Sequence, residues 1–280
     1  MDIEIKEIQK VELEILVEVD RICKKHNIAY QLYAGSLIGA IRHKGFIPWD
    51  DDLDICMLRE DYERFLDLAS NELNNLYFLQ TYKTDRNYFN QFAKVRKNNT
   101  LFVQDVLSEV EMHHGIYIDV FPLDNVKPNT FLGEVQRKSL NFSRNLATAR
   151  IRKMNAITRN KINKSFRSIL FYALKLVPQR PFNNMVNRIA CIFNKQETEF
   201  VAELSLSTRK DTYKQFMLER DILLNSIEWE FEGYRFPVPK EYDYVLRRNY
   251  GDYMTPPPLE EQIPKHGVIE ASLDTTTSTK

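Results

Sequence analysis

The stretch YAGSLIGAIRHKGFIPWDDDLDICM, residues 33–57, decides the fold of this chain. It places an acidic cluster between two apolar runs, FIPW and LDICM. The cluster holds four carboxylates within five positions, those of Asp50, Asp51, Asp52 and Asp54. Like charges this close repel one another unless water or a cation offsets them. The stretch therefore raises the question of what offsets this charge between the two apolar runs, water or a bound cation.

The elements around this stretch alternate between strands and helices. A helix is predicted over residues 3–26 and ends at the HN pair, and IAYQLYA reads as a strand. Gly35-Ser36 then opens a short helix, LDICML is the next strand and REDYERFLDLASNEL a second helix. YFLQTY and NQFAKVRK are further strand candidates, and GIYIDVFPLD is a strong strand that Pro122 is expected to end. This order predicts an α/β (α+β) fold with a mixed sheet over about the first 125 residues.

From about residue 130 to 228 the hydrophobic spacing becomes helical. Apolar residues recur at helical spacing from Phe166 to Val177 and again from Phe182 to Phe193, with two prolines between the stretches. Both stretches are expected to pack on the core, or to form a helix pair whose basic surface faces a membrane. A short helix follows at about 240–249.

Charge is balanced over the chain but unevenly distributed. The 280 residues have a net charge of zero, yet residues 135–196 hold 14 Lys and Arg and no Asp or Glu. A basic segment of this size favours phosphate-rich partners such as nucleic acid, anionic lipid or an anionic glycan. No RNA-recognition motif accompanies it. The acidic, amphipathic N-terminus does not resemble a signal peptide, and no apolar run is long enough to span a membrane, so we expect a cytoplasmic protein.

The carboxylates point to metal-assisted chemistry on phosphates. Side chains alternate along a strand, so Asp52 and Asp54 are expected on the same side of DLDIC. Asp119 lies on a separate strand between apolar residues, where an isolated charge would be costly. One or two Mg²⁺ ions shared by the three carboxylates would remove that cost, with Mn²⁺ as an alternative. The competing interpretation is that these are surface or capping aspartates.

The combination resembles a known superfamily. A glycine-serine turn at a strand end, an Asp-x-Asp pair on the next strand and a third Asp on a later strand are similar to the DNA polymerase beta-like nucleotidyltransferases. The match is closer still to the LicD family of phosphocholine transferases, which includes the fukutin-related proteins. LYAGSLIGAIRHKGFIPWDDDLDICMLREDYERF resembles the signature of that family, and FAKVRKNNT, IYIDVFPLDNV and FPVPKEYDYVLRRNYGDYMTPPP agree with it. The resemblance spans roughly residues 8–267.

The resemblance implies an enzyme that transfers phosphocholine from CDP-choline to a hydroxyl of a cell-surface glycan, releasing CMP. The glycan would be teichoic acid or a precursor of lipopolysaccharide or capsule. It would be a lipid-linked acceptor, which the enzyme meets at the inner face of an anionic membrane. No nucleic acid is expected as a partner. Two enzymatic alternatives stay open: another CDP-alcohol donor, carrying ribitol, glycerol or ethanolamine phosphate, or a true nucleotidyltransferase that releases pyrophosphate. The intact carboxylates argue against a non-catalytic module that only binds RNA or lipid.

The resemblance also suggests roles for single residues. Asp52 and Asp54 would bind Mg²⁺ with the donor diphosphate, while Asp119 would bind a metal beside the attacking hydroxyl and can also take its proton. The remaining candidates would contact substrate, and they are Gly35, Ser36, Arg42, Lys94, Arg96 and His266. Arg42 is alternatively a solvated helix end, and His266 an exposed tail residue.

The domain organisation follows from the same comparison. Residues 1–130 are expected to form the nucleotidyltransferase-like catalytic core, and residues 131–228 an inserted or appended basic helical region. Residues 229–270 would form a C-terminal segment that packs back near the active site. The last residues, 271–280, have the composition of a disordered tail.

Overall fold

The first helix of the computed structural model carries the apolar stripe that the sequence predicts. The structure describes residues 3–149, 173, 176–205 and 210–275. Helix α1 spans Ile5–His26 and buries one face against the sheet. It ends at Asn27, which adopts a left-handed conformation (φ 51°) and donates its N–H to the carbonyl of Cys23. Asparagine tolerates this conformation better than most residues, which explains the predicted stop at the HN pair.

The deciding stretch folds as predicted into strand, helix and strand. Strand β1 (Gln31–Leu32) is followed by helix α2 (Ala34–His43), strand β2 (Asp54–Leu58) and helix α3 (Arg59–Glu72). β1 and β2 are antiparallel. The loop between α2 and β2 returns closely over the helix, because a Cβ built at Gly39 would lie 2.4 Å from the carbonyl oxygen of Gly45.

A seven-stranded mixed sheet carries the site. It includes β3 (Tyr77–Gln80), β4 (Ala93–Lys97) and β6 (Tyr117–Val126), and the strand order is β1-β2-β6-β4-β3. β6 runs parallel to β2 and antiparallel to β4. This register sets Asp54 of β2 and Lys94 of β4 on either side of Asp119. The mixed α/β fold predicted from the sequence is confirmed.

Strand β6 does not end at Pro122, and that expectation was wrong. The strand continues to Val126. The Asp119 N–H donates to Leu53 on the β2 side, so positions of the other parity, including 122, direct their nitrogen to the opposite edge. On that edge β4 pairs only as far as Val120, and the next strand pairs from Leu123. Proline therefore occupies a gap in which an N–H would have no strand partner.

The region 131–228 contains strands as well as helices, which corrects the purely helical expectation. Helices α4 (Phe131–Ala149) and α5 (Gln179–Ala190) pack together. Strands β7 (Phe200–Glu203) and β8 (Met217–Glu219) then extend the main sheet, with the short helices α6 (Lys210–Gln215) and α7 (Arg220–Leu224) beside them. Strands this short hold too few residues for the alternation of apolar and polar side chains to be recognised in the sequence.

Most of the predicted helix over 166–177 falls outside the described residues, and so does much of the basic segment. Contact between that segment and an anionic membrane therefore stays a prediction. Within the part of the chain that the structure describes, none of the helices combines the length and the apolar composition that crossing a membrane requires.

The C-terminal part returns to the sheet edge next to the carboxylates. β9 (Ser226–Phe231) and β10 (Tyr234–Pro239) form a hairpin, followed by helix α8 (Tyr242–Tyr250) at the predicted place. β11 (Val268–Ser272) pairs antiparallel with β5 (Leu101–Gln104). This pairing holds the residues just before β11 close to the acidic loop, the segment with Asp50, Asp51 and Asp52 that precedes β2.

Candidate functional site

The three predicted carboxylates converge at the start of two parallel strands. Asp54 opens β2, and its register partner Asp119 is the third residue of β6. Both are buried, whereas the side chain of Asp52 keeps 18% of its surface exposed. Burial raises the pKa of Asp54 well above its usual range, and the charges of Asp52 and Asp119 raise it further. Burial likewise raises the pKa of Asp52. The cluster concentrates negative charge where water is scarce.

Gly35 and Ser36, in the first turn of α2, contact the residues that carry the carboxylates. The Ser36 hydroxyl accepts the backbone N–H of Asp54 at 2.8 Å, and the N–H of Tyr33 donates to the Asp54 carbonyl at 2.9 Å. Gly35 lies against the acidic loop, because a Cβ there would be 2.7 Å from a carboxylate oxygen of Asp50. Gly35 and Ser36 therefore fix the start of β2. Their contact with donor phosphates stays a prediction.

Lys94 joins the cluster directly. Its ammonium donates to Asp119 at 2.5 Å and lies 3.3 Å from the ring centroid of Tyr117. Burial lowers the pKa of Lys94 to about 8, against the opposing effect of Asp119. The neighbouring Arg96 is also buried, but its guanidinium donates to the Gln80 side chain and the Gly115 carbonyl. The structure thus brings Lys94 to the carboxylates and directs Arg96 away from them.

His266 reaches the acidic loop from the far end of the chain. Its Nδ1 lies 2.9 Å from Asp51, and its Nε2 lies 3.5 Å from Asp52. The backbone N–H groups of Lys265 and His266 also donate to the Asp51 carboxylate. Burial alone would lower the pKa of His266, but the hydrogen bond to Asp51 and the charge of Asp52 raise it. His266 is therefore part of the site rather than an exposed tail residue.

Arg42 lies at the end of α2, at the edge of the site. Its Nη1 donates to the carbonyl of Tyr253 at 2.7 Å, and its Nε donates to His43. Burial lowers the pKa of Arg42, while the charge of Asp50 acts in the opposite direction. Arg42 is thus neither fully solvated nor bonded to a carboxylate, and its role toward a donor phosphate stays a prediction.

Three site residues were not among the predicted set. Asp51 is fully buried and holds the His266 segment. From α1, Gln9 donates its Nε2 to the carbonyls of Ile47 and Asp50, and Glu12 lies buried near the cluster. For Glu12 a signal existed, since it is a charged residue on the otherwise apolar stripe of the first helix. Asp51 stands in the acidic run of the sequence, but its contact with His266 could not be predicted, because the two residues lie 215 positions apart.

The donor set fits a divalent cation. Among the residues that the structure describes, Oδ1 of Asp54 is completely buried and has no hydrogen-bond partner. Burial raises the pKa of Asp50 to about 7, and repulsion from Asp52 and Asp51 adds to the effect of burial. Carboxylate oxygens are the preferred ligands of Mg²⁺ and Mn²⁺. An orphaned oxygen within a group of repelling carboxylates is what a cation would satisfy.

Asp51, Asp52 and His266 also present three ligand atoms within 4.8 Å of one another. The Asp51 carboxylate, however, already accepts hydrogen bonds from two backbone N–H groups and lies at hydrogen-bond distance from the imidazole. It serves as an anchor for the C-terminal segment.

Comparison with known proteins shows the family of the chain. Residues 27–146 match the family model described as "LicD/FKTN/FKRP, nucleotidyltransferase domain". The lipopolysaccharide cholinephosphotransferase LicD of Haemophilus influenzae is 31% identical over 268 residues, which cover 94% of this chain and 96% of that protein. An uncharacterized protein of Rickettsia prowazekii is 28% identical over 121 residues, covering 41% of this chain and 45% of that protein. The chain belongs to the LicD family.

Proposed function

We propose that this protein transfers phosphocholine from CDP-choline to a hydroxyl of a lipopolysaccharide or related cell-surface glycan. The substrate class rests on the full-length similarity to a protein named lipopolysaccharide cholinephosphotransferase. The reaction class rests on one observation above all. Asp54 and Asp119 are register partners on the adjacent parallel strands β2 and β6, and the charge of Asp52 acts on the Asp54 side chain. Carboxylates grouped in this way are suited to phosphoryl transfer assisted by a divalent cation.

Asp52, Asp54 and Asp119 would hold the cation, which would neutralise the charge of the donor diphosphate. The acceptor hydroxyl forms a bond to the choline-bearing phosphorus. The bond from that phosphorus to the oxygen bridging it to the CMP phosphate breaks, CMP leaves, and the hydroxyl proton passes to a base, for which Asp119 is our candidate. The charge of Lys94, held against Asp119, would add to the positive potential that receives the diphosphate.

A CMP-release assay tests this proposal. Purified protein would be incubated with Mg²⁺ and separately with CDP-choline, CDP-ribitol, CDP-glycerol and CDP-ethanolamine, with and without lipopolysaccharide. We expect CMP from CDP-choline, and a loss of about 10²-fold or more in the Asp54→Ala variant. Asp67→Asn, which removes an exposed carboxylate of α3, is the matched control and should keep full activity.

The other outcomes would separate the alternatives. Release of CMP from a different donor would support the same type of reaction, with another alcohol in place of choline. Release of pyrophosphate from CTP, with the nucleotide retained on the acceptor, would identify a nucleotidyltransferase instead. No product from any of these substrates, with acceptor present, would contradict the proposal.

A further inference from the structure

Helix α1 contributes a buried carboxylate to the acidic cluster. Glu12 is 1% exposed and lies on the helix face that packs against the core. Three residues earlier, almost one turn, the Gln9 side chain donates to the carbonyl of Asp50 at 2.9 Å and to that of Ile47 at 3.1 Å. These two bonds fix the acidic loop against this side of α1. Glu12 thus faces the cluster from a rigid element.

The Glu12 carboxylate has no evident structural reason to be there. Its Oε2 is completely buried and lacks a hydrogen-bond partner among the residues that the structure describes. The charges that act on it most strongly are negative. Asp52 acts on it most strongly, followed by Asp50, Asp51 and Asp119. A buried carboxylate without a partner destabilises a fold, and neighbouring carboxylates add repulsion.

Asp54, on β2, also has a buried carboxylate oxygen without a hydrogen-bond partner among the described residues. Oδ1 of Asp54 is also buried without a partner, and the charges of Asp52, Asp119 and Asp50 act on Asp54 too. Two orphaned oxygens, one from α1 and one from β2, therefore have three acidic neighbours in common, Asp50, Asp52 and Asp119. A structural role for Glu12 alone would require a hydrogen-bond donor, and none pairs with this oxygen.

We propose that Glu12 is a further carboxylate of the divalent-cation site, acting on the cation from the helix side. This inference rests on the proposed function, since it requires the cation that Asp52, Asp54 and Asp119 would hold. A divalent cation would give both orphaned oxygens the bonded partner that they lack among the described residues. Mg²⁺ or Mn²⁺ prefers oxygen ligands. The cost of burying Glu12 is then offset when the cation binds.

Binding of Mn²⁺ to the full-length protein tests the inference without relying on activity. Mn²⁺ would be titrated into metal-free wild type, Glu12→Gln and Glu14→Gln, and the free ion followed by electron paramagnetic resonance. Glutamine keeps the shape of the side chain and removes its charge. Glu14 is exposed on the same helix and serves as the control. We expect Glu12→Gln to raise the Kd for Mn²⁺ at least tenfold and Glu14→Gln to leave it unchanged.

Unfolding by urea in EDTA provides the second readout. Glu12→Gln should unfold at the same or a higher urea concentration than wild type, because it removes an unpaired buried charge. A lower midpoint in EDTA would show that Glu12 stabilises the fold by itself, and would overturn the inference, as would wild-type affinity for Mn²⁺ in Glu12→Gln. If the wild type bound no Mn²⁺, the cation of the proposed function would fail as well. If Asp54→Asn weakened binding and Glu12→Gln did not, only the role of Glu12 would fail.

Discussion

The Lys94 ammonium lies 2.5 Å from a carboxylate oxygen of Asp119 and 3.3 Å from the ring centroid of Tyr117. Both charged side chains are buried, at 5% and 8% exposure. Lys94 thus combines an ion pair with a cation–π contact inside the sheet. Through Asp119 it also touches one of the three carboxylates predicted to hold a cation. A change to this pair should therefore affect both the stability of the sheet and the charge balance of the site.

Replacing Lys94 should expose the cost of burying Asp119. In metal-free protein we expect Lys94→Met to lower the free energy of unfolding by about 3–5 kcal/mol, because it leaves a buried carboxylate unpaired. The double variant Lys94→Met/Asp119→Asn should recover most of that loss. Urea denaturation in EDTA measures both. A Lys94→Met protein within about 1 kcal/mol of wild type would show that the buried pair contributes no more than a surface one.

A second buried ion pair lies away from the carboxylate cluster, between α3 and β6. Arg59 donates to both carboxylate oxygens of Asp124, at 2.8 and 2.7 Å, and Asn194 donates to the same carboxylate at 2.6 Å. Asp124→Asn should lower the free energy of unfolding by about 3–5 kcal/mol, since a buried guanidinium loses its counter-charge. Glu63→Gln is the control. Glu63 also pairs with Arg59 but is 43% exposed, so the loss should stay below about 1 kcal/mol. Equal losses from the two variants would argue against burial as the cause.

The position of the site could be predicted because local rules suffice for it. The alternation of side chains expected along DLDIC predicted Asp52 and Asp54 on one side, and the long signature around them resembles a known family. In the structure Asp52 lies just before β2, which begins at Asp54. The partners of these residues depend instead on the pairing of distant segments. Alternation gives the face on which Lys94 lies, but only the register of β4 against β6 sets it opposite Asp119. The Asp51–His266 contact likewise depends on the pairing of β5 with β11.

Pro122 illustrates the same limit. A proline in a strand removes one hydrogen-bond donor, and the sequence alone suggests an end of the strand. Whether the strand ends at the proline depends on which edge of the strand its nitrogen faces and on whether a neighbouring strand needs a donor at that position. In this sheet the neighbouring strand changes from β4 to β7 at that point, so the strand continues. Such an outcome can be read only from the assembled sheet.

Gly39 is required by the close return of the loop after α2. A Cβ at this position would lie 2.4 Å from the Gly45 carbonyl oxygen and 3.2 Å from the Ile47 nitrogen. Alanine favours a helix over glycine by about 1 kcal/mol. The clash with backbone atoms should outweigh this gain and leave a net loss of about 1–2 kcal/mol in the free energy of unfolding.

The comparison with Gly35→Ala makes this prediction specific. At Gly35 the new methyl group would meet only the end of the Asp50 side chain, which can move. Urea denaturation should therefore show a smaller loss for Gly35→Ala than for Gly39→Ala. The reverse order would contradict the role assigned to the loop backbone.

The pair formed by Asp51 and His266 should give the fold a defined pH dependence. Burial alone would raise the pKa of Asp51, but the His266 hydrogen bond and charge lower it. The same bond raises the pKa of His266. The Asp51 contribution is present above the unfolded pKa of about 4 and is lost as pH falls through the lower folded value. The His266 contribution is present below about pH 6.5 and is lost as pH rises through the higher folded value.

Comparing wild type with His266→Asn in EDTA tests this pH dependence. Asparagine can still donate to Asp51 but carries no charge. The difference in the free energy of unfolding between the two proteins should be largest at about pH 5–6, and it should fall by about 1 kcal/mol as the pH rises through the raised pKa of the folded-state imidazole. In an Asp51→Asn background the same His266→Asn change should have a much flatter pH profile, because the main partner of the imidazolium is gone. A constant difference between pH 5 and 9 in the wild-type background would mean that the imidazole charge does not fasten the C-terminal segment to the acidic loop.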